Sequence, residues 1–340
     1  LKCEMQRLKL SNRQSRIKFI YSGRKICHNK NLYIERLNLM GGNLMIKFNG
    51  IYSALFSIYD ENMNVKRNSV KQLMEYNQKN GLQGFYVGGA SGECIVLPNK
   101  TRIQMLETVM EYKKESTVIA HIGAGHWEDT VELVKHANNY DVDAIASLPP
   151  ALMEYYNVEE TVNYYKSLSD LSNKPLMAYI QTFYKGDIVE LTRRLAEIPN
   201  VCGVKLTVPN YYLFAKLRAL FPDINILNGP DESLLAGLAI GANGAIGTSY
   251  NILPGVAERL YNAVQKNDLN VARKCQYILN NAINVLIKEN IAGWKLPLEV
   301  IGIDMGYTVY PRIMPNGGHK KEIIDILKAN GTIEEMLKEA

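Results

Sequence analysis

The chain has 340 residues, of which 47% are hydrophobic and 21% charged, a composition typical of a soluble globular protein. Its net charge of +5 is unevenly distributed, because residues 1–44 carry ten Lys or Arg and two Glu, whereas residues 45–340 carry 29 Lys or Arg and 32 Asp or Glu. The mildly acidic main part argues against a nucleic-acid partner, and no apolar stretch is long enough to span a bilayer.

Residues 1–44 differ in character from the rest of the chain. They are rich in Lys, Arg and Asn and lack regular periodicity. A transit peptide and a disordered basic arm are two interpretations. We favour a third, in which the DNA encoding Met40–Met45 is a purine-rich ribosome-binding site followed by a start codon. We therefore expect a non-native or disordered extension over 1–44 and a true start at Met45.

From residue 48 onward, apolar runs of strand length alternate with segments of helical periodicity. The predicted strands are Ile51–Phe56, Gly84–Val87, Val118–Ile122, Ala144–Ser147, Leu176–Tyr179, Gly203–Leu206, Asn225–Leu227 and Gly244–Ile246. The predicted helices lie near residues 67–80, 98–114, 127–139, 158–170, 187–196, 210–220 and 231–240. Such alternation indicates parallel strands joined by helices, and eight strands favour a closed (β/α)8 TIM barrel.

An open doubly wound sheet is the alternative architecture. It would carry a Gly-rich phosphate loop after its first strand, and residues 56–60 do not form one. We therefore expect a barrel core over residues 45–253. Residues 254–340 read as mostly helical and are predicted to supply the last barrel helix and a C-terminal helical extension.

The five cysteines, spread over the whole chain, show no spacing typical of a metal site or a disulfide framework. This usage favours a reducing, cytoplasmic compartment. Among the histidines, His121 is expected to be structural. His126 and His136 are expected on a loop and a helix surface, without metal-ligand spacing.

The position of Lys205 is the most unusual feature of the sequence. It ends a buried-strand pattern, and lysines are rarely buried without a partner. A lysine amine shielded from water can attack a carbonyl and form a Schiff base. The simpler interpretation is a side chain that extends from the strand end into solvent.

Other chemically capable residues also lie at the carboxyl ends of predicted strands, where TIM-barrel active sites are built. The turn Gly88–Glu93 has glycines, free amides and the Ser91 hydroxyl, which suit a carboxylate, although an ordinary strand-to-helix turn explains them equally well. Tyr179 is a candidate proton relay or a packed aromatic residue. Asp231 and Glu232 are candidates for binding hydroxyls or helix-terminal acids.

Five segments together carry a resemblance to a known family. They are Gly88–Glu93, the strand ending in Tyr179, Gly203–Lys205, Asn228–Glu232 and Gly247–Asn251. In this order and spacing they resemble the dihydrodipicolinate synthase/N-acetylneuraminate lyase family of class I aldolases over residues 48–310. The Asp231-Glu232 pair and the segment from Gly247 look like the N-acetylneuraminate lyase branch, and residues 180–185 lack the arginine that is usual in the other branch.

The resemblance implies a lyase and a role for each candidate residue. Lys205 would form a Schiff base with a 2-oxo sugar acid such as N-acetylneuraminate, and Tyr179 would move a proton at the C4 hydroxyl. Pyruvate and an aldehyde sugar such as N-acetylmannosamine would be released, without a metal or organic cofactor. A homotetramer is also implied. Substrate binding would involve Ala90, Ser91, Thr207, Gly229, Asp231, Glu232 and Thr248.

Three positions depart from the family pattern. Ala90 stands where a Ser or Thr hydroxyl usually belongs to the relay beside the tyrosine. Leu152-Met153 stand where a neighbouring subunit usually donates a tyrosine, and Ile180 replaces the usual Asn. The nucleophile and the carboxylate turn are kept, whereas the proton relay is eroded.

Two functional hypotheses follow from that pattern. The first is an active N-acetylneuraminate-cleaving enzyme, or a dihydrodipicolinate synthase-like or other 2-oxo acid aldolase. The second is a barrel that binds pyruvate or sialic acid with little turnover. We favour the enzyme, since Lys205 and Tyr179 are both retained.

Overall fold

The computed structural model describes residues 46–150 and 156–340. The predicted extension over 1–44, the proposed start at Met45, and Leu152-Met153 lie outside these residues. The two described ranges contain every predicted strand and helix, so they are sufficient to compare the predicted architecture with the observed one.

Eight parallel strands form a closed barrel in chain order. They are β1 (Gly50–Ala54), β2 (Gly84–Val87), β3 (Thr117–His121), β4 (Ala144–Ser147), β5 (Leu176–Gln181), β6 (Val201–Thr207), β7 (Asn225–Asn228) and β8 (Gly244–Gly247). Pairing of β1 with β8 closes the barrel. The predicted (β/α)8 TIM barrel is confirmed, and the open sheet is excluded.

A helix follows each strand and covers the outside of the barrel. In chain order they are α1 (Arg67–Lys79), α2 (Asn99–Tyr112), α3 (Trp127–Asn138), α4 (Val158–Leu171), α5 (Ile188–Leu195), α6 (Tyr211–Leu220), α7 (Leu234–Ala239) and α8 (Pro254–Gln265). Because helices cover the outer face and side chains fill the inner one, strand residues are buried on both sides. For that reason the strands appear in the sequence as continuous apolar runs.

Several predicted boundaries differ from the observed ones, and three of the differences bear on the site. The first strand ends at Ala54 and not at Phe56, while β5 continues beyond Tyr179 to Gln181 because its pairing with β6 extends that far. The helix predicted near 231–240 is divided into a 3₁₀ turn, Asp231–Ser233, and α7. These differences matter for the site, because they place Gln181 on a strand and Asp231 in a tight turn.

The chain after α8 is helical, as the sequence pattern indicates. It contains α9 (Leu269–Leu286), α10 (Ile291–Val300), α11 (Gly317–Ala329) and α12 (Thr332–Glu339). Buried residues of these helices, including Leu279 and Leu296, belong to the same hydrophobic cluster as the barrel residues. In the described part of the chain, no helix has both the length and the apolar character that crossing a membrane requires.

A buried ionic cluster joins this C-terminal part to the turn after β2. Glu93 is buried, and its carboxylate accepts hydrogen bonds from Tyr59 Oη at 2.8 Å, Lys295 Nζ at 3.1 Å and Arg312 Nη1 at 2.9 Å. Burial lowers the pKa of Lys295, while Glu93 opposes that shift. Glu93 also has a φ of +63°, so the side-chain contacts hold a backbone conformation that ordinary residues seldom adopt.

We expect Glu93→Gln to destabilise the fold by about 3–5 kcal/mol, because it leaves the buried Lys295 amine without a counter-charge. Urea unfolding followed by circular dichroism measures this change. The matched control is Lys338→Met, which removes an exposed pairing with Glu334 and Glu335 and should leave the free energy of unfolding nearly unchanged. Equal losses in the two variants would contradict the structural role of the Glu93 cluster.

Candidate active site

The register between β5 and β6 brings the two leading candidates together. Tyr179 is directly paired with Lys205 in the parallel ladder. Side chains in paired positions of neighbouring strands point to the same face, and both residues are nearly buried, at 3% and 5% exposure. The pairing therefore places a phenol and an amine side by side.

The Lys205 amine lies between two aromatic rings. Its Nζ is 4.2 Å from the centre of the Tyr179 ring and 4.5 Å from that of Tyr86, distances at which a cation is attracted to a ring face. Within residues 46–150 and 156–340, its Nζ has neither a hydrogen bond nor an ion pair. The side chain does not extend into solvent, so the simpler interpretation of its position is wrong.

Tyr179 is fixed at its backbone and at its hydroxyl. Its backbone N–H donates to Tyr165 Oη at 3.1 Å, and its carbonyl accepts from that hydroxyl at 3.3 Å. The single hydrogen of Tyr165 Oη is shared between that carbonyl and Ser147 O, which is closer at 2.7 Å, so Tyr165 ties β4 to β5. At the other end of the side chain, Gln181 Nε2 donates to Tyr179 Oη at 2.6 Å.

The turn after β2 has the form expected for an anion site. Gly88 has a φ of +71°, a conformation that glycine adopts without strain. Ser91 Oγ is 2.6 Å from Thr248 Oγ1, so this turn meets the end of β8. Among the described residues, no hydrogen bond occupies the backbone amides of Ala90 and Ser91. These two amides and the neighbouring hydroxyls are donors of the kind that bind a carboxylate, so the turn remains a candidate anion site.

Thr207 and Gly229 meet at the ends of β6 and β7. A Cβ atom at Gly229 would lie 1.9 Å from Thr207 Oγ1, so only glycine leaves room for that hydroxyl. The buried Thr207 Oγ1 has no hydrogen-bond partner among the described residues. Buried hydroxyls are normally satisfied, so this unpartnered one is a candidate for contact with a ligand.

Asp231 is buried beside the end of β8 and is not a solvent-exposed helix-terminal acid. Its Oδ2 accepts from the Ser249 amide at 2.6 Å, and a Cβ atom at Gly247 would lie 2.2 Å from its Oδ1. Burial raises the pKa of Asp231 to about 6, and hydrogen bonds from Ser249 offset part of the rise. Its neighbour Glu232 is exposed, so the two acids that are adjacent in sequence have different environments.

His121 has the structural role expected from the sequence. Its Nε2 accepts from the Leu148 amide at 2.9 Å, and burial holds the pKa of the imidazole well below its usual value. His136 is less exposed than predicted, because its ring packs beside Tyr140 and its Nε2 lies 3.3 Å from Glu107. Over the described part of the chain, no group of three His, Cys, Asp or Glu residues could hold a metal ion.

Three residues with a clear relation to the site were missed in the sequence: Tyr86, Tyr165 and Gln181. Tyr86 forms the second ring beside Lys205, and Tyr165 anchors β5. In the sequence, a tyrosine inside an apolar run that contacts a site looks the same as one that only packs in the core. Gln181 could have been found by extending β5, since residues two apart on a strand share a face.

Comparison with known proteins gives consistent matches. A family model described as the dihydrodipicolinate synthetase family matches residues 47–330. An N-acetylneuraminate lyase from Rhizobium meliloti strain 1021 is 32% identical over 273 residues, covering 78% of this chain and 90% of that protein.

Two solved structures extend the comparison to the fold. The wild-type sialic acid aldolase of Ruminococcus gnavus matches with a TM-score of 0.79 and 30% identity, covering 86% of this chain and 99% of that one. The catalytic lysine mutant of the Ruminococcus gnavus sialic acid aldolase matches with a TM-score of 0.78 and 29% identity, covering 86% and 97%.

The environment of Asp231 predicts a pH dependence of stability. The pKa of Asp231 in the folded protein lies above the ordinary value of 3.8, so the folded state binds this proton more tightly than the unfolded state does. The resulting stabilisation of the fold is complete below about pH 4 and is lost as the pH rises through about 6. We expect wild type to lose about 2–3 kcal/mol between pH 4 and 7 relative to Asp231→Asn, in which a carbonyl oxygen still accepts from Ser249. Urea unfolding at both pH values measures the difference.

The control for this experiment is Asp325→Asn, which alters an exposed carboxylate on α11. Its unfolding free energy should follow the wild-type pH curve. Parallel curves for wild type and Asp231→Asn would show that the Asp231 carboxyl has an ordinary environment, and would contradict the structural assignment.

Proposed function

Because this chain belongs to the dihydrodipicolinate synthetase family, we propose that it is a carbon–carbon lyase that cleaves N-acetylneuraminate through a Schiff base. The products are pyruvate and N-acetylmannosamine. The observation that carries the proposal is the buried Lys205 amine, held between two rings and paired in register with Tyr179. The similarity to a sialic acid aldolase with a catalytic lysine supports the same role for Lys205.

In the first step, Lys205 Nζ attacks the C2 keto carbon of the open-chain sugar acid. Loss of water gives an iminium ion, whose positive charge withdraws electrons from the C3–C4 bond. The site suits this step because the amine has no competing hydrogen bond or ion pair in the described residues. The two flanking rings favour a cationic centre at this position.

In the second step, the Tyr179 phenol passes its own hydrogen to the substrate carboxylate while its oxygen takes the proton from the C4 hydroxyl, as the C3–C4 bond breaks. The aldehyde sugar leaves, and the bonding electrons move toward the iminium nitrogen to give an enamine. Protonation at C3 and addition of water then release pyruvate and regenerate the lysine. A positioned proton relay of this kind is typically worth about 10²–10⁴-fold in rate.

The remaining candidates divide between the two ends of the substrate. We assign the carboxylate to Ser91 and the amides of Ala90 and Ser91, since that turn offers free donors. The hydroxylated chain is assigned to the ends of β6, β7 and β8. The residues proposed to line that part of the site are Thr207, Gly229, Asp231, Glu232 and Thr248.

We further propose that the protein acts as a cytoplasmic homotetramer. Exposed apolar side chains support association, because Tyr310 is 88%, Ile313 77% and Ile95 68% exposed. The Arg312–Glu93 contact brings these two segments near each other. The three described cysteines are free thiols, which fits a reducing compartment. Light scattering after gel filtration should give four times the chain mass, and a monomer would contradict this proposal.

Treatment with pyruvate and sodium borohydride should reduce a Schiff base to a stable adduct on Lys205, detected by peptide mass spectrometry. Lys205→Met should form no adduct and release no pyruvate from N-acetylneuraminate. Tyr179→Phe should still form the adduct but cleave the sugar acid about 10²–10⁴-fold more slowly. An assay of pyruvate release measures the cleavage.

The control is Lys216→Met, because Lys216 lies exposed on α6 and should leave both readouts unchanged. Absence of the adduct in wild type would overturn the aldolase mechanism. An adduct without cleavage of N-acetylneuraminate would instead indicate another 2-oxo acid substrate, or a barrel that binds pyruvate with little turnover.

A further inference from the structure

The end of β5 carries a glutamine that is bonded to the proposed proton relay. Gln181 lies two residues after Tyr179, is paired with Thr207 of β6, and donates from Nε2 to Tyr179 Oη at 2.6 Å. Across residues 46–150 and 156–340, no other hydrogen bond reaches that phenol oxygen. The glutamine is therefore the group that restrains the reactive end of the tyrosine.

We propose that Gln181 is a positioning residue for proton transfer, which it serves by fixing the Tyr179 hydroxyl and stabilising negative charge on it. This inference rests on the proposed function of Lys205 and Tyr179. A phenol oxygen has one hydrogen and two lone pairs. With one lone pair bonded to Gln181, the hydrogen and the other lone pair must point elsewhere, and rotation of the hydroxyl is restricted.

The strand geometry explains why residue 181 takes this role and residue 180 does not. Side chains alternate between the two faces of a strand, so Tyr179 and Gln181 share one face while Ile180 occupies the other. Ile180 is fully buried in the hydrophobic cluster. A polar side chain at position 180 would be directed away from the phenol oxygen, whereas position 181 is the next one that can reach it.

Among residues 46–150 and 156–340, no other side chain donates a hydrogen bond to the Tyr179 oxygen. Ala90, on the turn expected to hold the carboxylate, offers only a methyl group. Tyr86 packs edge-on to Tyr179 with ring centres 6.2 Å apart, but its buried hydroxyl has no partner in the described residues. Removing the Gln181 amide would therefore take away the one hydrogen-bond donor that the described residues give to the Tyr179 oxygen.

The direction of the hydrogen bond matters for the chemistry. An N–H group donated to the phenol oxygen favours the negative charge that develops when Tyr179 gives up its own proton. Such fixed donors cost no reorganisation at the moment of reaction, and loss of a single one typically lowers kcat by 10²–10³-fold at an oxyanion. A neutral relay oxygen develops less charge, so we expect a smaller effect of about 10–100-fold.

The test compares Gln181→Met with wild type. Methionine has a similar length and no donor, so kcat for cleavage of N-acetylneuraminate should fall about 10–100-fold while KM changes by less than about threefold. Trapping of pyruvate on Lys205 by borohydride should be unchanged, which shows that the site is intact. Gln181→Glu should be slower still, because an ionised carboxylate repels negative charge on the phenol oxygen.

The matched control is Gln78→Met. Gln78 is also half-buried and donates from Nε2, but to Lys113 O at 3.0 Å between α1 and the end of α2, away from the strand ends. Its kinetic constants should match wild type. A similar loss of kcat in this variant would show that any glutamine substitution disturbs the enzyme, and would overturn the specific role of Gln181.

A double-mutant comparison separates positioning from other effects. In the Tyr179→Phe background the phenol oxygen is absent, so adding Gln181→Met should change kcat by less than about twofold. If Gln181→Met lowers kcat in this background as much as it does in wild type, Gln181 acts on the substrate directly, and the proposal is overturned. An unchanged kcat in Gln181→Met alone would do the same while leaving the proposed function intact.

A wild-type protein that forms no pyruvate adduct would overturn both the proposed function and the role of Gln181. If the adduct forms but N-acetylneuraminate is not cleaved, exchange of the pyruvate methyl protons in D₂O replaces cleavage as the readout. That exchange should be slowed by Tyr179→Phe and by Gln181→Met. If Tyr179→Phe slows the exchange but Gln181→Met does not, the role of Gln181 is contradicted while the proposed function stands.

Discussion

The register of β5 against β6 is the constraint on which the site depends. It pairs Tyr179 with Lys205, and a slip of one residue would move either side chain to the opposite face of the barrel wall. The ladder is irregular between Leu176 and Met177, below the site. Tyr165 holds β5 above this irregularity through both backbone groups of Tyr179. Tyr165, a packing residue on α4, thus helps to set the geometry of the candidate site.

The second fixed part is the turn after β2. It offers free amides and the Ser91 hydroxyl, which contacts Thr248 just after β8. At its last residue, the Glu93 carboxylate is bound by Tyr59, Lys295 and Arg312. Because two of these partners come from the region after α9, the C-terminal helices form part of the support of the proposed carboxylate site and do more than cover the barrel.

The fold, and the proximity of the two leading candidate residues, could be predicted from the sequence for physical reasons. Alternation of apolar runs with helical periodicity specifies parallel strands, and TIM-barrel chemistry lies at their carboxyl ends. That reasoning identified Lys205 and Tyr179 as candidates. It could not identify Tyr86 as the second ring or Lys295 as a partner of Glu93. Strand periodicity predicts which face a side chain occupies, but not which distant residue it meets there.

The central claim is that Lys205 is the nucleophile and that the turn after β2 holds the carboxylate beside Tyr179. A crystal structure of the protein soaked with pyruvate tests all three parts at once. The account predicts continuous density from Lys205 Nζ to C2 of pyruvate, with the carboxylate on the amides of Ala90 and Ser91 and Tyr179 Oη facing the bound carbon chain. Pyruvate bound without a covalent bond, or joined to a different lysine, would contradict it.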